Sequence, residues 1–209
     1  MKRKLANWLM RLSHTRRRLI PSWVRFVALA VCLTLRPMFG GATGDIKMVY
    51  AASSALTITL ASLASSSTWV TGQESTAVDN TTNLYEDYLL AGKITTGTTP
   101  TTATEIRVYV VGLAEDSTYP DVFDGTDSAE TWTTTGIRDS AARLAGRMEV
   151  TATSNVTYWF GPVSVAALFG GTLPKKFVVF VAQNTAVALN ATSSNHALWI
   201  TPMYQNVAA

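Results

Sequence analysis

His196 is the residue at which any catalytic site would have to centre, because it is the one histidine after residue 47. A Ser-His-Asp or related arrangement would need it as the base that activates a nucleophile. No GxSxG turn, HExxH pair, phosphate-binding loop or dinucleotide fingerprint accompanies it. We therefore interpret His196 as a structural histidine of the last predicted strand, and we expect neither catalytic residues nor enzymatic activity.

The acidic segment Asp121–Glu130 (DVFDGTDSAE) is the part of the sequence that looks most like a metal site. Carboxylate oxygens arranged around a glycine turn are ligands that Ca²⁺ prefers. The spacing differs from the DxDxDG pattern of calcium-binding loops, and Asp-Gly followed by Thr and Ser is also ordinary turn chemistry. The segment is a calcium candidate beside this simpler interpretation, and we assign no metal ligand and no cofactor.

Aromatic side chains offer a third kind of site. An exposed patch of Trp and Tyr side chains can bind a sugar, but in strands such residues more often fill a core or a subunit interface. The tryptophans after residue 47 are Trp69, Trp132, Trp159 and Trp199. Spacing alone does not separate a sugar site from a core, so both interpretations stay open.

The composition of the chain changes near Met48. Residues 1–47 contain ten Lys or Arg and one acid, which is a net charge of about +9. Residues 48–209 contain seven basic and thirteen acidic residues, about −6. The formal charge of +3 averages two unlike pieces, so it does not indicate a nucleic-acid or membrane partner. We predict a single domain over residues 48–209 and neither nucleic acid nor membrane as its partner.

Three interpretations of the basic leader, residues 1–47, stay open. A basic stretch before the apolar run Phe26–Leu35 is typical of a secretory signal, although no small-residue cleavage site follows at once. The same charges would suit a disordered arm that binds nucleic acid or anionic lipid. We favour a mis-assigned translation start, because Gly44–Met48 can be encoded by a purine-rich ribosome-binding stretch before an ATG. An intact mass near 22.5 kDa for the natural protein would contradict it.

From Met48 onward the sequence predicts a series of strands. β-Branched and aromatic residues are plentiful, and no cysteine follows Cys32, so stability must come from packing and sheet hydrogen bonds. Alternation or continuous apolar runs mark the individual strands. The predicted strands are Leu56–Leu60, Leu84–Ile94, Glu105–Leu113, Asn155–Phe169 (broken at Gly161-Pro162), Phe177–Ala182 and His196–Tyr204.

Some of these segments carry finer predictions. The unbroken apolar run Phe177–Ala182 predicts a strand buried on both faces. Pro202 predicts a sheet edge or a bulge, because proline cannot donate to a ladder. Ile137–Met148 has apolar residues at helical spacing and predicts a short helix. Seven or eight strands with at most one helix favour an all-β fold, a two-sheet sandwich or jelly roll, with a closed barrel as the alternative.

Four stretches of the chain carry a resemblance to a known family. They are 75–101 (STAVDNTTNLYEDYLLAGKITTGTTPT), 105–111 (EIRVYVV), 119–131 (YPDVFDGTDSAET) and 158–190 (YWFGPVSVAALFGGTLPKKFVVFVAQNTAVALN). The chain resembles small virion structural proteins of tailed bacteriophages, most nearly the head decoration or capsid cement proteins. The resemblance spans roughly residues 49–209 and rests on overall texture, not on a catalytic signature. The basic leader lies outside it.

The resemblance implies a jelly-roll module located in the virion, without enzymatic activity or a cofactor. It implies a homotrimer or another symmetric cluster with the major capsid protein as partner, and it favours Met48 as the true start. Small residues over Ala51–Ser67 lead us to predict that residues 49–60 extend as an added strand along a neighbouring subunit or the coat. The alternative function is a secreted carbohydrate-binding or adhesive β-sandwich, exported by the leader.

Overall fold

A computed structural model describes residues 46–207, in which strands dominate. Within these residues, two short helices are α1 (Thr135–Ala141) and α2 (Val165–Leu168), and Ser193–Asn195 form a 3₁₀ turn. The strands are β1 (Ile46–Tyr50), β2 (Ser54–Leu56), β3 (Thr71–Glu74), β4 (Val78–Asp79), β5 (Asp87–Thr95), β6 (Thr104–Gly112), β7 (Ala129–Thr131), β8 (Ala142–Val150), β9 (Thr157–Ser164), β10 (Lys176–Gln183) and β11 (Ala197–Val207).

The strands form two antiparallel sheets with jelly-roll topology. Sheet A has the order β1-β11-β5-β9, with β2 also paired to β11, and sheet B has the order β7-β3-β10-β6-β8, with β4 also paired to β10. We count β1/β2 and β3/β4 as one interrupted strand each and leave out the three-residue β7, which gives eight principal strands. The first then pairs with the eighth, the second with the seventh, the third with the sixth and the fourth with the fifth. This nesting is a ribbon of antiparallel pairs wrapped into two sheets, which confirms the predicted two-sheet fold.

β10 packs against other side chains on both of its faces. Phe177, Val179 and Val181 point into the main core between the sheets. The alternate residues Val178 and Phe180 belong to a second core on the outer face of sheet B. All five are 0% exposed, so the predicted burial of this strand on both faces is confirmed.

The predicted helix over Ile137–Met148 is half wrong. α1 begins after the N-cap Thr134, whose side chain accepts from the Ile137 N–H, and it ends at Ala141. The chain then enters β8, which pairs with β6 along its whole length. Met148 is buried at 5% exposure. Strand pairing and burial on β6 therefore override the helix preference of this Ala-, Leu- and Arg-rich segment.

Two predicted strands have different limits in the structure. Leu56–Leu60 alternates in burial as predicted, but the ladder of β2 ends at Leu56. β9 continues through Gly161-Pro162, where a break was predicted, and the following Val165–Leu168 form α2 instead of a second strand. The Ser164 hydroxyl caps this helix by accepting from the Ala167 N–H at 3.0 Å.

The first strand begins at Ile46, two residues before the predicted domain boundary at Met48. The prediction that residues 49–60 add to a neighbour is wrong, because β1 and β2 pair with β11 of the same chain. Leu56 and Leu60, at 9% and 2% exposure, anchor the segment in its own core. The predictions for residues 1–45 lie outside the described residues.

Pro202 lies in β11, an internal strand of sheet A, so the prediction that Pro202 marks a sheet edge is wrong. The carbonyl of Pro202 accepts from the Ala51 N–H at 2.9 Å, which turns the proline nitrogen toward the same side. That side is the interruption between β1 and β2, where the ladder is already broken. The missing donor therefore costs one hydrogen bond at most, to the carbonyl of the partly exposed Ala51 at the end of this ladder.

Candidate binding surface

His196 is held as a neutral structural side chain. It is 8% exposed, its Nδ1 accepts from the Thr95 N–H at 3.3 Å, and its Nε2 lies 2.8 Å from the Asn190 carbonyl. With Nδ1 accepting, Nε2 carries the proton and donates. Burial lowers the pKa of His196, which favours this neutral form. Both ring nitrogens are occupied, so the geometry supports the structural interpretation of this histidine.

The carboxylates of the acidic segment do not converge. Asp121, Asp124 and Asp127 each accept from a backbone N–H of a turn or loop, and Glu130 accepts from the Ser128 hydroxyl. Asp121 accepts from the N–H and hydroxyl of Thr133 at 2.7 and 2.6 Å. Asp127 accepts from the Thr59 N–H at 2.9 Å and from Gln73 Nε2 at 2.6 Å. Within residues 46–207, no three His, Cys, Asp or Glu side chains are placed to share a metal ion. The turn interpretation accounts for this segment better than a calcium site.

Sheet B has its outer face covered by the chain itself. The cover is the segment 113–134, which runs from the end of β6 to α1. Phe123 and Trp132 of the cover pack on Phe180 of β10, with ring centroids 5.4 and 6.1 Å apart. Trp132 is 1% exposed. The acidic segment therefore serves to hold a hydrophobic second core closed, and this role is not visible in its spacing.

Glu74 is a buried carboxylate beneath this cover that the sequence gives no reason to single out. Its side chain is 0% exposed, Oε1 accepts from the Gly125 N–H at 2.7 Å, and Oε2 has no partner. Burial raises the pKa of Glu74 to about 7, although the backbone hydrogen bond from Gly125 opposes the rise. The only feature of the sequence that could have drawn attention to Glu74 is its position next to Gln73 at the end of β3.

Replacing Glu74 with glutamine is expected to stabilise the protein at pH 8 and to change little at pH 5. The folded pKa lies above the ordinary 4.5, so the stability from proton binding is present below pH 4.5 and is lost as the pH rises through about 7. Above pH 7 the wild type buries a charge that Glu74→Gln lacks. After a discount for screening, the gain in unfolding free energy is about 1–2 kcal/mol. Urea unfolding at both pH values measures it.

The exposed Glu115 provides the matched control for this prediction. Glu115→Gln is expected to shift the unfolding free energy by less than about 0.5 kcal/mol at either pH. Equal effects of Glu74→Gln at pH 5 and pH 8 would contradict a buried, titrating carboxyl.

Sheet A presents its outer face to solvent. Leu198 and Ile200 point into the core, so their neighbours in β11 point outward. We define the apolar face as the outward apolar side chains of three strands of this sheet: Ile46, Met48 and Tyr50 of β1, Trp159 of β9, and Trp199, Met203 and Val207 of β11. Five of the nine exposed large hydrophobic side chains in residues 46–207 lie on it. Such a concentration marks an interaction surface better than scattered residues would.

Two tryptophans of the apolar face stack on each other. The rings of Trp159 and Trp199 lie nearly parallel, 12° apart, with centroids 6.1 Å from each other. Trp159 is 67% exposed, and its cross-strand neighbour is Lys93. Tryptophan is enriched among residues that dominate binding energies, and its ring also stacks on sugars. The pair therefore suits an apolar protein surface or a carbohydrate ring.

Known proteins offer no assignment for this surface. No protein-family model matches the chain, and no curated protein matches it significantly. Across residues 46–207, every helix is too short or too polar to cross a bilayer. Jelly rolls host many unrelated functions, so function has to be argued from the apolar face itself.

Proposed function

We propose that this chain is a non-enzymatic structural protein of a bacteriophage virion, of the head decoration or capsid cement type. It binds the shell built by the major capsid protein and associates with copies of itself. The observation that carries the proposal is the contrast between the two outer faces of the sandwich. One is buried under the chain's own cover, while the other leaves the apolar face in water.

This contrast supports a binding role because exposed apolar surface is costly in an otherwise polar exterior. Phe180 and Trp132 show that this sequence can build a cover where one is needed. On sheet A, Trp159 at 67% and Tyr50 at 61% exposure remain available instead. A partner that covers them would gain the burial that sheet B obtains within the chain.

The charge distribution is compatible with the same role. Residues 46–207 carry eight basic and thirteen acidic side chains, a net charge of about −5. On the apolar face of β1, Ile46, Met48 and Tyr50 are uncharged. An acidic exterior around an apolar contact weakens association between free copies, whereas a shell with a complementary surface can bind them. The trimer implied by the family resemblance is part of this proposal.

Co-sedimentation with phage heads tests the proposal. Purified protein is mixed with heads of the phage that encodes it, prepared without this gene product, and the bound copies per head are counted. We expect saturable binding to a fixed number of symmetry-related positions, and we expect the protein in wild-type particles. Absence from purified particles together with no binding to the heads would contradict the proposal.

The Trp159–Trp199 pair also favours a second candidate, the carbohydrate-binding or adhesive β-sandwich. In this case soluble oligosaccharides should quench tryptophan fluorescence, and Trp159→Ala should remove the response. Binding to heads that persists in excess oligosaccharide would favour the virion role. Glycan binding without head binding would favour the second candidate.

A further inference from the structure

Within residues 46–207, β1 is a sheet edge with few protective features. Natural edge strands are usually guarded by charges, prolines, bulges or short length. β8 carries Arg143, Arg147 and Glu149, β9 contains Pro162, and β7 has three residues. β1 reads Ile-Lys-Met-Val-Tyr and has one charged side chain, Lys47. It therefore offers a template for another strand.

The hydrogen-bonding groups of β1 alternate in direction. The Ala51 N–H bonds inward to the Pro202 carbonyl, so residues at odd positions face β11. Ile46, Met48 and Tyr50 consequently turn their N–H and C=O groups away from the sheet. Among residues 46–207, these six backbone groups have no strand partner, and they lie on the strand that carries much of the apolar face.

We infer that, in the full-length chain, β1 pairs antiparallel with β1 of a second copy, about a two-fold axis through Met48. A chain that began at Met48 would lack Ile46 and Lys47 and would lose four of the six hydrogen bonds described next. In this register Met48 lies opposite Met48 of the second copy, and Ile46 lies opposite Tyr50. The six outward groups of each copy then form six backbone hydrogen bonds. The pairing joins the two A sheets into one and makes the apolar face continuous across both copies.

A second copy fits this edge for reasons of symmetry and charge. A strand that pairs with itself about a two-fold axis is self-complementary, because each contact occurs twice. The Met48 register uses all five residues of β1, whereas any shift leaves some of them unpaired. Lys47 then lies opposite Val49, so the strand places no like charges directly across the interface.

The area sets the strength of the contact. Ile46, Met48 and Tyr50 are 68%, 47% and 61% exposed, and edge-to-edge pairing covers only the flanks of these side chains. The pairing therefore buries well below the roughly 1,200–2,000 Å² of stable interfaces, so the dimer is weak in solution. Copies concentrated on a surface would pair far more readily. The two-fold contact is separate from the three-fold contact implied by the family resemblance.

Disulfide trapping in the full-length chain tests the pairing and its register. In a Cys32→Ser background, Met48→Cys places two thiols on the axis, with Cα atoms about 5.5 Å apart, inside the range of a disulfide. Gln205→Cys is the control, because Gln205 is exposed on the same face of β11 but lies about 14 Å from its symmetry mate. We expect Met48→Cys to form covalent dimers at least tenfold faster than Gln205→Cys.

A charge substitution provides the second measurement. Met48→Lys places two ammonium groups opposite each other and should weaken self-association at least tenfold by sedimentation equilibrium. Leu144→Lys is the matched control, since Leu144 is also 47% exposed but lies on β8 of the other sheet. No dimers from Met48→Cys, equal rates at both cysteines, or equal effects of the two lysines would overturn the inference. Failure to bind phage heads bears on the proposed function and leaves this pairing standing.

Discussion

Replacing Phe180 with alanine is expected to lower the free energy of unfolding by about 3–5 kcal/mol. Phe180 is 0% exposed, and its ring meets Phe123 edge-on at 5.4 Å and Trp132 at 6.1 Å. Truncation would leave a cavity between β10 and the cover, and both aromatic partners would lose their contact surface. A domain of this size is stable by only about 5–15 kcal/mol, so the variant would be close to unfolding at 37 °C.

Urea unfolding followed by tryptophan fluorescence measures this loss, and Trp159→Ala is its control. Trp159 is an aromatic residue of the opposite outer face, and at 67% exposure it should change the unfolding free energy by less than about 0.5 kcal/mol. A loss below about 1 kcal/mol for Phe180→Ala would show that the cover does not form a second core.

Replacing Trp159 with glutamate is expected to weaken binding to phage heads by at least about 30-fold while leaving the fold intact. The substitution removes the ring that stacks on Trp199 and puts a carboxylate inside a contact that must exclude water. Affinity can be measured by titrating fluorescently labelled protein onto heads. Circular dichroism and the urea midpoint report on the fold.

Leu144→Glu is the matched control for this binding prediction. Leu144 is an exposed hydrophobic residue, 47% exposed, on β8 of sheet B, and it lies opposite Tyr109 on the outer face of that sheet, which points away from sheet A. It should change head binding less than about twofold. If Leu144→Glu weakened binding as much as Trp159→Glu, the apolar face would not be the contact.

The sequence predicts the sheets of this protein better than it predicts the surface. Period-two alternation in Glu105–Leu113 and the apolar run Phe177–Ala182 correspond to β6 and β10 within one residue. Both signals arise from burial in the strands themselves, so a local pattern contains them. The two-sheet architecture follows, because strands with one or two apolar faces need another layer to cover them.

The errors occur where distant partners decide the structure. The segment after Ala141 has a helical pattern, yet β6 captures it as β8 through a full ladder. Residues 49–60 look like an arm, yet β11 and the core bind them within the chain. Neither partner is close in sequence, so local propensity could not choose between the two states.

The candidate surface was the least predictable part. Trp132 and Trp159 are both tryptophans in or beside strands, but one is 1% and the other 67% exposed. The difference depends on the cover, which folds over sheet B and leaves sheet A bare. Glu74 was missed for the same reason, because its burial comes from Gly125, about fifty residues later in the chain.

The central claim is that the outer face of sheet A, with the stacked pair Trp159 and Trp199 on it, is the surface that binds the phage shell. An electron cryo-microscopy reconstruction of heads with bound protein tests it most directly. We predict additional density in the form of the jelly roll, seated with Trp159 and Trp199 against the coat and with the cover over sheet B facing outward. Bound density with the Trp159 face in solvent, or with the cover against the coat, would contradict the account.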